Sequence, residues 1–401
     1  MKFNEFGFHP TVLEGIEAMG FEKPTPIQEQ TMPAIMQGRD IIGSAQTGTG
    51  KTAAFLLPVI NSIIESNTDT KTTALIIVPT RELAVQIDQQ MEGFSYFTSV
   101  SSIAVYGGGD GALFAREKTT LTQGVEVVIC TPGRMIAHLI NNYVKLDDLK
   151  FLILDEADRM LDMGFHEDIL RIIQYLPKKR QNLLFAATMP PKIRTLARTV
   201  LHNPLEVSIA VSKPADKILQ VAYVVYENQK LPLVTHLLKD RGLKSVIVFC
   251  ATKIAAKQLG GQLKRIGLLA EDIHSDLDQS QREIVLLQFR NRKLNILVAT
   301  DLLSRGIDIE DIDLIINYDV PKEGEDYIHR IGRTARAESE GVAITLISEK
   351  EQYQFSKIEK LLERIVTKAM VPEQFGEGPK YNPEARKFSG HRGNYRGKKR
   401  R

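Results

Sequence analysis

Two short stretches hold the residue types that handle phosphate. The first is Ala45-Gln46-Thr47-Gly48-Thr49-Gly50-Lys51-Thr52, directly after the apolar run 40–43. Glycines let a backbone curl until its N–H groups converge on an anion, and a helix starting there adds its positive end. Lys51 would reach the β- and γ-phosphates of a nucleotide, and the Thr52 hydroxyl would ligand Mg2+. Loops of this kind usually begin with Gly, whereas this one begins with Ala45. In the second stretch, Phe151-Leu152-Ile153-Leu154 runs into Asp155-Glu156-Ala157-Asp158. A buried strand ending in two acids is costly unless they emerge at the carboxyl edge of a sheet, where doubly wound folds bind ligands. There Asp155 can hold the Mg2+ shell and Glu156 can orient and deprotonate an attacking water. Singly, these are a glycine-rich turn and an acidic turn. Together they specify phosphoryl transfer to water.

Such residues need parallel strands behind them. Near-continuous apolar runs, the mark of strands buried on both faces, occur at 74–78, 125–129, 151–154 and 182–185, then at 245–249, 295–298, 314–316 and 342–347. Helical periodicity fills 81–93, 168–176 and 281–289 between them. The alternation predicts doubly wound α/β architecture. It lapses across 208–217, where Lys213, Pro214 and Asp216 interrupt it, which predicts a linker between domains 1–207 and 218–370. Past Met370 come Pro372, Gly376, Pro379 and Pro383 with few large apolar residues, so 371–401 is expected to be a disordered tail.

A chain of 401 residues exceeds one compact core, and 43% apolar with 25% charged residues is ordinary for a soluble protein. The longest apolar stretch, 53–64, is broken by Pro58, Asn61 and Ser62, too short for the roughly 20 residues a membrane span needs. No secretory signal is expected at the N-terminus. Cys130 and Cys250 each end an apolar run, which fits buried reduced thiols in a cytoplasm, and no His/Cys spacing suits zinc. The net charge of +3 is uneven: residues 380–401 hold nine Lys or Arg against Glu384 alone. A basic tail on an acidic body implies a polyanionic partner.

With Asp-Glu-Ala-Asp spelled out after a phosphate loop, the sequence resembles the DEAD-box RNA helicases of superfamily two, over about residues 1–370. The short N-terminus and basic C-terminal extension resemble those of bacterial RhlE-type members. The resemblance implies two tandem RecA-like domains, ATP and Mg2+ as cofactors, and RNA as partner. Gly20 to Gln28 resembles the Q motif, with Phe3 upstream. Gln28 is then expected to read the adenine edge, having both a donor and an acceptor, and Phe21 to lie against the ring. Pro79-Thr80-Arg81-Glu82-Leu83-Ala84, Gly107-Gly108 and Thr131-Pro132-Gly133-Arg134 resemble RNA-contact motifs of the first domain. Each begins where a strand is expected to end, so N–H groups, hydroxyls and Arg can meet phosphates and sugars.

In the second half Val248-Phe249 and Gln279-Ser280-Gln281-Arg282 resemble motifs IV and IVa. Residues 299–308 resemble motif V, with Thr300 and Gly306 near RNA and Asp308 facing the ATP ribose. Residues 327–336 resemble motif VI, which implies that Arg333 and Arg336 reach the γ-phosphate on domain closure, with His329 in the coupling set. An arginine finger of that kind is worth about 10³–10⁵ in rate. The tail, with Phe388, Tyr395 and the pairs Arg392-Gly393 and Arg396-Gly397, suits RNA tethering. A merely solubilising end is the alternative.

The sequence departs from the family pattern twice. Its Ser-Ala-Thr motif reads Ala186-Ala187-Thr188, so one hydroxyl of the link between the acidic motif and the closed state is missing; ATP binding is expected to be intact and hydrolysis near normal, with duplex separation weaker than in a Ser-containing relative. Ala335 stands where Gly is usual, to no expected effect. Two rival readings are an ATP-gated RNA clamp or scaffold with weak strand separation, and a DNA helicase of the same superfamily. The protein is expected to be monomeric, with ribosomal or RNA-decay proteins as candidate partners.

Overall fold

The computed structural model describes residues 1–45, 48–66, 71–108, 111–209, 218–239, 242–274, 276–277, 279–300, 312–334 and 341–384, excepting the side chains of 279, 280, 283 and 325. Within this range the chain divides into two compact units, meeting at Val211 and Ser212 in the expected linker, of which 210–217 lie outside the described residues.

The first unit carries strands β1 (Ile41–Ser44), β2 (Ala74–Ile77), β3 (Ser102–Val105), β4 (Val127–Cys130), β5 (Phe151–Leu154), β6 (Gln181–Ala186) and β7 (Leu205–Ser208). They form one parallel sheet in the order β3-β4-β2-β5-β6-β1-β7. Side chains alternate across it: Ala74 and Ile76 join one apolar cluster, Leu75 and Ile77 the other. That two-faced burial is why these strands read as unbroken apolar runs. The helix Lys51–Ser66 buries most of its circumference, Pro58 included, so the apolar stretch at 53–64 is a core helix.

The second unit carries β8 (Ile218–Val224), β9 (Val246–Cys250), β10 (Ala270–Ile273), β11 (Ile296–Thr300), β12 (Leu314–Asn317), β13 (Gly341–Ile347) and β14 (Thr367–Ala369). Their parallel order is β10-β11-β9-β12-β13-β8-β14. Numbered from the start of each unit, the two orders are identical, so the chain repeats one doubly wound fold.

Five strands have no counterpart among the apolar runs: β3, β7, β8, β10 and β14. Four are sheet edges, half exposed, and β8 alternates buried with less buried residues. An unbroken-run criterion finds strands covered on both faces and passes over those that are not.

The expectation of disorder from 371 onward is corrected for 371–384, which dock on the second unit. Gln229 Nε2 donates to Phe375 O at 2.8 Å. Gln352 Nε2 donates to Lys380 O at 3.0 Å, and Gln352 Oε1 accepts from Asn382 N at 2.6 Å. The Tyr381 hydroxyl donates to Glu359 Oε2 at 2.7 Å, beneath the Lys368 ammonium. A side chain at Gly378 would lie 2.0 Å from Val224 O, so glycine permits this close approach. Sparse apolar content hid the segment, because polar anchors hold it together with only three isolated apolar contacts, Val371, Phe375 and Tyr381. Residues 385–401 lie outside the described residues.

Candidate functional site

Each functional stretch of the first unit leaves the carboxyl edge of its sheet. The phosphate-type loop follows β1, Asp155 follows β5 and Ala187-Thr188 follow β6; Thr80-Arg81 follow β2, Gly107-Gly108 follow β3 and Thr131 follows β4. Since the order is β3-β4-β2-β5-β6-β1, the edge is partitioned. One half carries the nucleotide-type residues and the other the RNA-contact candidates. The phosphate loop is fixed at its start by Ala45 N–H donating to Ala186 O at 3.1 Å. Gly48 and Gly50 have φ of 82° and 87°, a left-handed backbone that favours glycine. Thr49 and Thr52 are half-buried around Lys51, while Gln46 and Thr47 lie outside the described residues.

Lys51 opens the following helix and is buried, with Nζ 2.6 Å from Ala45 O. Burial lowers its pKa below the ordinary lysine value, opposed by the charges of Asp155, Glu156 and Asp158. Asp155 is buried too. Its Oδ1 accepts the Glu156 N–H at 3.0 Å, and burial pushes its pKa up to about 7, with Lys51 pulling the other way. A buried carboxylate poised near neutrality gains from a hard cation, and Thr52 offers the second oxygen of the kind Mg2+ takes. The residues present therefore fit that ion.

Glu156 adopts the left-handed conformation (φ 50°, ψ 47°) and caps the short helix Ala157–Asp162. A non-glycine residue there costs about 1–2 kcal/mol. Its Oε2 accepts from Nη1 of the buried Arg159 at 2.9 Å. Asp158 Oδ2 accepts three hydrogen bonds: from Ala187 N at 3.2 Å, Thr188 N at 2.9 Å and Thr188 Oγ1 at 2.9 Å. Ala186 is wholly buried in the sheet.

Gln28 is fully buried, its amide engaged at both ends. Oε1 accepts from Thr25 N at 2.9 Å and Nε2 donates to Gly50 O at 3.0 Å. In this state it ties the Q-type segment to the phosphate loop. Phe21 is half-buried and meets Phe94 edge-on at 5.2 Å, with Phe3 behind it in the core.

On the other half of the edge, Thr80 caps the helix Arg81–Phe94 by accepting from Leu83 N at 3.3 Å. The Arg81 guanidinium lies over the Tyr106 ring at 4.9 Å, and a side chain at Gly108 would meet Arg81 Nη1 at 2.2 Å. Thr131 and Pro132 start the helix Pro132–Leu139, with Gly133 exposed and Arg134 half-buried behind them.

In the second unit the RNA-contact candidates Arg282 and Thr300 follow β10 and end β11, and both are half-buried. β10 and β11 hold the sheet positions that β3 and β4 hold in the first. His329 and Arg333 follow β12, the counterpart of β5, and are half-buried. Gly306, Asp308, Ala335, Arg336 and the Gln279 side chain lie outside the described residues.

Sequence reasoning passed over several buried charges, of which three lie beside the candidate residues. Arg159 holds Glu156. Arg330 donates through Nη1 to Asn317 Oδ1 and Asp319 O, both at 3.0 Å, over the Phe249 ring at 4.9 Å. Glu117 accepts from Arg134 Nε at 2.7 Å. The last had a visible signal: an acid on the buried stripe of the helix Gly111–Gln123, one turn before Leu121.

A phosphate loop and a strand-end acid pair on one of two repeated RecA-like units define a nucleoside-triphosphate hydrolase of the two-domain helicase class. The comparisons give the family. Residues 25–196 match the DEAD/DEAH box helicases and 229–338 the helicase conserved C-terminal domain. The ATP-dependent RNA helicase CshA of Listeria monocytogenes is 41% identical over 374 residues, 93% of this chain and 70% of its own. The DEAD-box ATP-dependent RNA helicase RhpA of Helicobacter pylori is 40% identical over 92% of this chain and 74% of its own. Among solved structures, S. cerevisiae Dbp5 bound to RNA and ADP BeF3 is similar with TM-score 0.80 at 32% identity, covering 92% of this chain and 95% of that one. The chain belongs to the DEAD-box RNA helicase family.

Proposed function

We propose that this ATP-dependent RNA helicase opens short RNA duplexes, or strips RNA–protein complexes, locally and without processive travel. Lys51 grips the β- and γ-phosphates. Glu156 positions and deprotonates the attacking water once it exchanges its Arg159 partner for that water. Arg333 and Arg336 supply the arginine fingers, and Asp308 the ribose contact. Phe21 and Gln28 define the adenine side, Gln28 through its bond to the phosphate loop. Bound at Thr52 and Asp155, Mg2+ would neutralise phosphate charge. Thr80, Arg81, Gly108, Thr131, Pro132, Gly133 and Arg134 would hold the RNA backbone with Gln279, Arg282, Thr300 and Gly306. Contacts to sugar and phosphate imply little sequence preference. ATP and RNA that favour the same closed state strengthen each other's binding reciprocally.

The observation that carries this reading is the partitioned carboxyl edge, with Lys51, Asp155 and Glu156 on one half and Arg81, Gly108 and Arg134 on the other. The clamp reading drew support from Ala186, and that support weakens because Asp158 is bonded through Thr188 instead. Assignment to the RhlE-type subgroup, a monomeric state, a cytoplasmic location and ribosomal or RNA-decay partners belong to the same proposal. No helix among the described residues is long and apolar enough to cross a membrane. The test is RNA-stimulated ATP turnover beside strand displacement, in the parent, Lys51→Ala and Glu156→Gln proteins. Lys51→Ala should abolish both activities, and Glu156→Gln should retain crosslinked RNA. Turnover by Lys51→Ala at the parent rate overturns the reading.

A further inference from the structure

We propose that Glu117, which lies in none of the motif stretches, is the positioning residue for the first domain's RNA-binding arginines, with Phe114 as its second wall. The inference rests on the RNA-contact reading of Arg134 and Arg81 given above.

Glu117 sits mid-helix in Gly111–Gln123 and is 1% exposed, among neighbours that mostly face solvent. Its Oε2 accepts from Arg134 Nε at 2.7 Å and pairs with His138 Nε2 at 2.9 Å. Its Oε1 accepts the Tyr106 N–H at 3.3 Å. Tyr106 is the residue whose ring carries the Arg81 guanidinium. One carboxylate therefore touches the end of β3 and the helix after β4, and reaches both arginines, Arg134 directly and Arg81 through Tyr106.

The cage around Arg134 has a second wall. Its guanidinium lies over the Phe114 ring at 4.6 Å, and Phe114 stacks on His138 at 4.4 Å with an interplanar angle of 9°. His138 is held from behind by the Tyr143 hydroxyl. The guanidinium is thus held on two sides, at Nε by the carboxylate and across its plane by the ring. Arg134 Nη2, however, is buried with no hydrogen-bond partner. A pair serving stability alone would satisfy that donor, because an unpaired buried N–H is costly and buried ion pairs add little to stability. A guanidinium held in this way at the edge where Thr131 and Gly108 lie, on a side chain still 13% exposed, suits a phosphate oxygen. Pre-fixing it removes side-chain entropy that RNA binding would otherwise cost.

The experiment uses the full chain, single-stranded oligouridine as probe, and steady-state ATP turnover with thermal melting alongside. Glu117→Ala should raise the KM for RNA about tenfold while leaving the KM for ATP and the RNA-saturated kcat unchanged, since loosened grip acts on binding alone. Glu117→Gln keeps an acceptor for Arg134 Nε and should recover most of the affinity. In an Arg134→Ala background, Glu117→Ala should add little, because the two residues act as one unit. If Glu117→Ala does not fold, Phe114→Leu takes its place and should raise the RNA KM about threefold by removing the ring under the guanidinium. An unchanged RNA KM in Glu117→Ala (or in Phe114→Leu, where that replaces it), or an equal increase with and without Arg134, overturns the proposal. Where Arg134→Ala itself leaves RNA binding intact, the contact reading falls as well; where it weakens binding and Glu117→Ala does not, only the present inference falls.

Discussion

The Asp158 carboxylate accepts the Thr188 hydroxyl across 2.9 Å, and the same oxygen takes the backbone N–H groups of Ala187 and Thr188. The acidic motif after β5 is thereby joined to the end of β6 without any contribution from the side chain of residue 186. The missing hydroxyl at Ala186 suggests a weakened link from sequence alone; the bonding assigns that link to Thr188.

Thr188→Ala should therefore lower the ratio of strand displacement to ATP turnover by about five- to tenfold, the scale of one ordinary hydrogen bond, because Asp158 keeps its two backbone donors. Ala186→Ser should leave that ratio within about twofold of the parent, because its oxygen would enter a fully buried apolar cluster while Asp158 already takes three hydrogen bonds. Parallel displacement and phosphate-release assays give the ratio. A large gain from Ala186→Ser would return the link to residue 186.

Gly50→Ala should eliminate nucleotide binding. Gly50 has φ 87°, and an added methyl would lie 2.5 Å from Gln28 Nε2, forcing apart the bond that ties the Q-type segment to the phosphate loop. Gln28→Leu should be milder, raising the KM for ATP and lowering stability by about 0.5–1.5 kcal/mol, because the Thr25 N–H loses its partner while the Gly50 carbonyl keeps the Ala54 N–H. Titration with a fluorescent nucleotide and chemical denaturation measure the two effects.

Nucleotide-free protein in chelator should lose stability as pH rises. Burial raises the Asp155 pKa to about 7 in the folded protein, whereas an unfolded aspartate titrates near about 4. Between those values the native state holds a proton that the unfolded chain has released, so the slope of stability against pH is negative there. Below the window both states are protonated, and above it neither is, so this contribution levels off. Asp155→Asn should flatten the pH dependence across that window in thermal melts. An unaltered slope in that variant would assign the effect to other groups.

Truncation should separate the C-terminal segment into two parts. Removing 385–401 should raise the RNA KM and spare both kcat and Tm, since eight of the nine terminal basic residues lie there. Removing 371–401 should also lower Tm, on the order of 5 °C, by stripping Phe375, Tyr381 and the Gln229 and Gln352 anchors. Equal melting of the two truncations would contradict the docking of 371–384.

The sequence by itself determined which candidate residues the nucleotide half presents and the doubly wound class. Gly48, Gly50, Lys51, Asp155 and Glu156 are adjacent to the strands that deliver them, and strands covered on both faces announce themselves as apolar runs. Only tertiary structure decided which residues hold those groups in place. Glu117 reaches Arg134, Gln28 reaches Gly50 and Gln352 reaches Asn382 across stretches of chain with no periodic relation. The edge strands were equally invisible, because half-exposed residues carry no unbroken apolar signal. A local pattern encodes what a segment is. Which carboxylate meets which guanidinium depends on strand order, and parallel crossovers bring together residues far apart in sequence.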